Sequence, residues 1–346
     1  MSLRREAGAQ KSRKQSRRRE MSTYWSKLRF GTPLAMGLAL ATQIGIVASA
    51  VPAHAAETKE IAVMLPAAGD PYFKLKSCGY VEAGKKAGYD VKIYDAGGYG
   101  NLNTQITQLQ DVIQRKVKGI VLVPASSDGT VPAVEQAVAA GIPVVNDGIA
   151  THSDKVTGFV GEPSYVMTEI LAAYVADALG GSGEVAMLSG PSGLDLTKFR
   201  VDGFKDYLSK YKKMQVVAEK FTSTASAEAL NTMQDFLQAH PNLKAVYTFN
   251  GPIAIGVVQA LRAANKKPGE VVVVTTDMEP ETERLIKDGW IQATIVSQPV
   301  TMAQLAVQRA IEAAEGKAIP KETLTQATMI TKNTVDVVDL SGQECQ

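Results

Sequence analysis

Ten short apolar runs, set between segments of helical periodicity, constrain this chain more than any other feature. They cover residues 61–65, 91–95, 119–123, 143–146, 157–160, 184–188, 216–221, 245–249, 271–275 and 293–296. Most are continuously apolar rather than alternating, as parallel strands covered on both faces require. Between them the spacing predicts helices over 72–87, 102–114, 131–140, 227–238 and 253–264. This alternation implies an α/β fold of doubly wound parallel sheets, because right-handed crossovers place helices on both faces. Ten strands divide between two sheets more readily than they fit into one, and 346 residues suffice for two domains.

The formal net charge of +2 conceals an asymmetry. Ten of the 37 Lys and Arg and two of the 35 Asp and Glu precede residue 30, and the next charge is Glu57. That leaves 27 basic and 33 acidic residues from Ala56 onward, a net charge of −6. A basic leader followed by an uncharged, small-residue-rich stretch ending in Ala53-His54-Ala55 reads as a cleavable export signal, with Ala56 the mature N-terminus and either Met1 or Met21 the start. Periplasmic localisation follows. The acidic mature chain gives no footprint for nucleic acid, and an export leader stands where a repressor would carry a helix-turn-helix. Two cysteines, Cys78 and Cys345, are too few for a disulfide scaffold or a metal cluster, and whether they pair is open.

In doubly wound sheets ligands bind beyond the carboxyl ends of the strands, so the residues that follow each strand matter most. In order these are Asp70-Pro71-Tyr72-Phe73, Gly97-Gly98-Tyr99, Ser126-Ser127-Asp128, Asn146-Asp147, then Asp195, Lys198 and Arg200, then Asn250, Asp277 and Ser297-Gln298. Aromatic faces, carboxylates and amides make a hydrogen-bonding cleft, and the set lacks a catalytic constellation. The loop DAGGYGN (95–101) is not a dinucleotide fingerprint, since Asn103 stands where the third glycine belongs. There is no Walker loop, and GPSG (190–193) is not a nucleophile elbow. His152 and His240 are the only histidines of the mature chain. Asp70, Asp147 and Asp277 leave a glycosidase as a weaker alternative. Asp70 before Pro71, and Asn250, also fit plain helix caps.

These residues resemble the periplasmic solute-binding proteins of the ribose/galactose type. The resemblance runs from about residue 59 to 335 and is carried by IAVML (61–65) with DPYF (70–73), GIVLVP (119–124), AGIPVV (140–145), RVDGF (200–204), HPNLKAVYTFN (240–250) and ATIVSQP (293–299). It implies two doubly wound lobes joined by a three-stranded hinge, with crossings near Gly161, Ser297 and Ala327. Residues 56–161 plus 298–327 would form one lobe, and 162–297 plus 328–346 the other. It further implies a monomer without catalysis, metal or cofactor, which closes on a sugar or polyol and presents it to an ABC permease in the inner membrane. Asp70, Tyr72, Phe73, Tyr99, Asn146, Asp147, Lys198, Asn250, Asp277 and Gln298 are the expected ligand-binding residues.

DAGGY (95–99) with DPYF (70–73) is also similar to the periplasmic protein that senses trimethylamine N-oxide for a histidine kinase. That similarity implies Tyr72, Phe73 and Tyr99 as pocket aromatics and a sensor kinase or chemoreceptor as an alternative partner. Ser164 and Asp277 stand where two further aromatics of that pocket would be. The chain departs from the ribose pattern as well: Asp147 lacks a following Arg, Lys198 replaces a sugar-contacting Arg, and Ser297 replaces a hinge Gln beside Gln298.

Overall fold

The computed structural model describes residues 59–340. The expected export leader and Cys345 lie outside the described residues. The element order is β1 (Glu60–Leu65), α1 (Pro71–Ala87), β2 (Asp90–Asp95), α2 (Leu102–Gln114), β3 (Gly119–Leu122), α3 (Val131–Ala139), β4 (Val144–Asp147), β5 (Gly158–Gly161), α4 (Ser164–Ala178), β6 (Ser182–Leu188), α5 (Asp195–Leu208), β7 (Lys213–Lys220), α6 (Ser226–Ala239), β8 (Leu243–Thr248), α7 (Gly251–Ala263), β9 (Val272–Thr276), α8 (Pro280–Lys287), β10 (Ala293–Val296), α9 (Pro299–Ala314), β11 (Glu322–Leu324) and β12 (Thr328–Thr331).

The strands form two six-stranded sheets, ordered β11-β5-β4-β3-β1-β2 and β12-β10-β9-β8-β6-β7. All pairings are parallel except that of β12 with β10. All ten apolar runs become strands. The two strands absent from the sequence reading, β11 and β12, are short and largely exposed, so no apolar run announced them.

Side chains alternate between the two faces of each sheet. In the first sheet Ile61, Val63 and Leu65 pack with Val121 and Val145 against Phe73 and Tyr80 of α1 and Ala303 and Val307 of α9. Ala62 and Met64 face the other way, with Ile120 and Val144, onto Leu109 of α2 and Val134 of α3. In the second sheet Leu188, Val246 and Val273 pack under α6, α7 and α8, while Met187, Tyr247 and Val274 pack under α4 and α5. Burial on both faces explains why the central stretches of these strands are apolar.

The register sets the ligand-facing edge. Leu65 lies opposite Asp95 and Met64 opposite Leu122. Leu188 lies opposite Thr248, and Ile295 opposite Thr276. The carboxyl ends of neighbouring strands are therefore level, and the loops beyond them emerge together. Among the described residues the chain crosses between the sheets three times, after β5, after β10 and after β11.

Close helix contact in the second layer depends on Gly203 of α5. A Cβ there would lie 2.2 Å from the Tyr165 carbonyl oxygen and 2.6 Å from Thr168 Oγ1 on α4. Gly203→Ala is expected to push α4 from α5 and to cost roughly 1–3 kcal/mol in denaturant unfolding; an unchanged midpoint would contradict this packing.

Candidate functional site

The first wall of the site is built by a helix start. Asp70 N-caps α1, its side chain accepting from the Tyr72 amide at 3.0 Å, and Pro71 pre-sets the first helical position. This fixes Tyr72 and Phe73, whose rings stand 5.6 Å apart at 76°. One turn on, Lys76 is buried and pairs with Asp147 at 2.5 Å. A further turn on, Tyr80 donates to the other Asp147 oxygen at 2.5 Å. Tyr72, Lys76 and Tyr80 thus make a polar stripe along the buried face of α1.

The loop after β2 brings in Tyr99. Gly97 and Gly98 take positive φ of 83° and 149°, and the Gly98 amide donates to the Pro66 carbonyl at 2.6 Å. Asp95 Oδ1 accepts from the Ala68 and Gly97 amides at 3.0 and 2.8 Å, so adjoining loops are tied to each other. The glycines make a turn that carries the ring of Tyr99 to the cleft.

The second wall centres on Arg200 of α5, which is 3% exposed. Its Nη2 donates to Glu162 Oε1 at 2.5 Å, and its Nη1 donates to the Phe249 carbonyl at 2.7 Å and to Thr276 Oγ1 at 2.6 Å. The guanidinium stacks 4.7 Å from the centre of the Phe249 ring. Asn250 caps α7 by accepting from the Ile253 amide at 3.2 Å. Asp277 has a φ of 67°, in the left-handed region that Asp tolerates better than most residues. Its amide donates to the Ile295 carbonyl at 3.0 Å, while Thr294 Oγ1 donates to its carbonyl at 2.7 Å, so β10 holds the unusual backbone in place.

Between these walls lies a cavity of about 40 Å³. Asp70, Tyr72, Phe73, Tyr99, Asp147, Asn250 and Asp277 of the expected set line it, together with Lys76, Glu162, Thr224 and Arg200. On the same measure one water needs roughly 10–15 Å³, so the space is small and closely walled. Arg200 Nε and Asp277 Oδ1 are among the buried polar atoms of the lining that have no hydrogen-bond partner among the described residues. A buried polar atom left unmet is costly, and a ligand offering one acceptor and one donor would satisfy both.

Three expected residues lie elsewhere. Asn146 alternates with Asp147 along β4 and points to the opposite face, where its Oδ1 accepts from the Thr151 amide at 2.9 Å. Lys198 is two positions from Arg200 on α5, about 200° around the helix; its side chain is 67% exposed and pairs with Asp202. Gln298 stands at the start of α9 outside the cavity, whereas the neighbouring Ser297 is buried beside Tyr72 and Asp277.

Lys76, Glu162 and Thr224 were absent from the sequence reading. Arg200 stands in the RVDGF motif and among the residues beyond the strands, but outside the expected ligand-binding set. The buried stripe at spacing four on α1 was the signal available for Lys76. Glu162 sits on the crossing just after β5, where no periodicity marks it.

The electrostatics follow from dryness. Burial opposes the charge on Glu162, but the Arg200 contact overrides it and holds that carboxyl below its ordinary pKa. Asp277 is 3.9 Å from Arg200 Nη1, too far for a direct hydrogen bond; burial dominates and pushes its pKa up to about 8. Glu162, Glu279 and Asp70 push it in the same direction. Burial likewise raises Glu279 to about 7 and moves Asp70 upward.

A second cluster joins the two layers outside the cavity. His152 lies in the β4–β5 loop, its Nδ1 2.6 Å from Asp128 of the first layer and its Nε2 2.6 Å from Asp195 of α5 in the second. Both carboxylates favour the imidazolium, raising the His152 pKa. The Asp195 amide donates to Ser127 Oγ at 3.1 Å, adding a neutral tie across the same junction.

The comparisons with known proteins agree with this architecture. A model of the periplasmic binding protein domain matches residues 61–318, and the chain belongs to that family of binding proteins. The ribose import binding protein of Bacillus subtilis (strain 168) is 30% identical over 274 residues, covering 79% of this chain and 88% of that protein. The D-allose-binding periplasmic protein of Escherichia coli (strain K12) is 28% identical over 280 residues, covering 78% and 90%. An ABC transporter solute-binding protein of Burkholderia graminis, solved with D-arabinose, superposes with a TM-score of 0.77 at 27% identity, covering 81% of this chain and 97% of that one. Another from Agrobacterium vitis, with bound D-fucose, also gives 0.77 at 27% identity, covering 82% and 99%.

The dry carboxyls predict a signed pH dependence. A group whose folded pKa is raised contributes stability that is complete below its unfolded pKa and lost as pH climbs to the folded one. For Asp277 that window runs from 3.8 to about 8, and Glu279 adds a parallel loss up to about 7. Ligand-free protein should lose less unfolding free energy between about pH 5 and about pH 8 as Asp277→Asn than as wild type, measured in urea. Equal losses would contradict a desolvated Asp277.

Proposed function

We propose that this chain is the periplasmic substrate-binding component of an ABC importer and that its cleft takes a small sugar or polyol for delivery to an inner-membrane permease. The observation that carries this reading is the convergence of Asp277, Asn250, Arg200 and Asp147 with Tyr72, Phe73 and Tyr99 on one small cavity between the two layers. Hydroxyls both donate and accept, so a polyhydroxy ligand can meet Asp277 Oδ1 and Arg200 Nε together, while its C–H face packs on the aromatic rings. The relatives that bind ribose or allose, and the neighbours holding arabinose or fucose, support the same ligand class.

The lobes of this reading are residues 56–161 with 298–327 and 162–297 with 328–346, working as a monomer exported by a leader cleaved before Ala56. Closure about the three crossings brings Arg200 and Asp277 against α1, and the closed form is what a permease would recognise. No bond of the ligand is made or broken in this scheme. A sensor of the trimethylamine-N-oxide type that signals to a histidine kinase is the alternative that Tyr72, Phe73 and Tyr99 allow. Lys76 and Arg200 are already paired with Asp147 and Glu162, and the unmet Arg200 Nε and Asp277 Oδ1 favour a ligand with hydroxyls over such a head group.

A thermal-shift screen of pentoses, hexoses, polyols and methylated amines tests the choice, because a ligand that binds only the folded state raises the unfolding midpoint. A sugar or polyol should give the largest shift, and Asp277→Ala should weaken its binding by about 10- to 100-fold in calorimetry while the protein remains folded. Stabilisation by methylated amines alone, or unchanged affinity in the variant, would overturn the assignment.

A further inference from the structure

We propose that the cleft accepts a two-part ligand, a disaccharide or other glycoside, whose terminal sugar fills the inner cavity and whose second unit lies at the mouth against Tyr99 and Phe221. This rests on reading the inner cavity as a sugar site. Next to that cavity is a hollow of about 540 Å³, walled by Gly98, Tyr99 and Gly100 of the first layer and by Ser192, Phe221 and Ser223 of the second, among others. Tyr99 and Thr224 line both spaces, so the two adjoin.

The chemistry of the hollow is distinctive. None of its lining residues is charged, although 21% of the chain is. By contrast, the groove of about 680 Å³ between α1 and α9 is lined by Glu82, Lys86, Glu312, Glu315 and Lys317. Aromatic faces with hydroxyls and no charge match a neutral sugar ring, whose C–H face stacks while its rim hydrogen-bonds.

Phe221 follows directly on β7 and is 49% exposed, an aromatic ring left open to the hollow. Its loop is held rigidly for an exposed segment. The Thr222 amide donates to the Gly190 carbonyl at 3.0 Å, and Ser223 donates to Glu228 Oε2 through its amide at 2.9 Å and its hydroxyl at 2.6 Å. The facing loop is fixed by the Gly98 to Pro66 hydrogen bond. A ring pre-set by such contacts binds without the entropy cost of ordering a mobile loop.

Calorimetry with D-ribose, D-allose and D-arabinose, their phenyl glycosides and glycosyl-linked disaccharides tests the proposal on wild type, Phe221→Ala and Phe221→Tyr. At least one glycoside should bind about fivefold or more tighter than its parent sugar. Phe221→Ala should remove that gain and leave the parent sugar within about twofold, while Phe221→Tyr keeps it. Parent sugars that bind while every glycoside is rejected, or a gain that survives Phe221→Ala, would overturn the two-part ligand and leave the sugar assignment standing. Binding of no parent sugar and no glycoside would overturn the sugar reading and this proposal with it.

Discussion

The buried guanidinium of Arg200 is the contact on which the rest of the cleft depends. A cation taken out of water is expensive unless it is paired and hydrogen-bonded, and Arg200 reaches the crossing after β5 through Glu162, the end of β8 through the Phe249 carbonyl and the end of β9 through Thr276. It therefore locks three separate chain segments to α5. The arrangement is also incomplete. Arg200 neutralises Glu162 and leaves Asp277 beyond direct reach, so the cavity keeps a donor and an acceptor unmet. A site with spare hydrogen-bonding capacity in a dry setting is suited to a neutral ligand that offers both functions in one molecule.

The other wall follows the same logic with opposite emphasis. Lys76 and Tyr80 occupy both oxygens of Asp147, so this carboxylate is already satisfied within its own layer. Its part is to shape the floor beside Phe73, while the second layer supplies the unmet groups. The first layer contributes aromatic faces and a settled ion pair; the second contributes hydrogen-bonding capacity. His152 and Ser127 bridge the layers outside the cavity, so contact between them does not rest on the ligand alone.

Much of the scaffold was legible in the sequence, because parallel strands buried on both faces are continuously apolar; most of the ten runs are of that kind, and all ten became strands. The exposed strands β11 and β12 carried no such signature. Among the residues that line the cavity, Asp70, Tyr72, Phe73, Tyr99, Asp147, Asn250 and Asp277 were legible because they lie at the carboxyl ends of strands or in the segments that follow them. Asn146 and Lys198 were misplaced for a single reason: side-chain direction along a strand or helix changes completely within one or two positions. Asn146 faces away from Asp147, and Lys198 faces solvent while Arg200 turns inward. Glu162 was invisible because an isolated carboxylate on a crossing has no pattern, only a partner 38 residues away in Arg200. Asp70 and Asn250 show that a helix cap and a cavity wall are compatible roles for one side chain.

The central claim is that Arg200 Nε and Asp277 Oδ1 are left unmet for a hydroxylated ligand. A crystal structure of the complex with the sugar that stabilises the protein most tests this directly. Ligand hydroxyls should lie within about 3 Å of both atoms, with an apolar ring face against Tyr72, Phe73 or Tyr99. A sugar bound with both atoms still unpaired, or seated outside this cavity, would contradict the account.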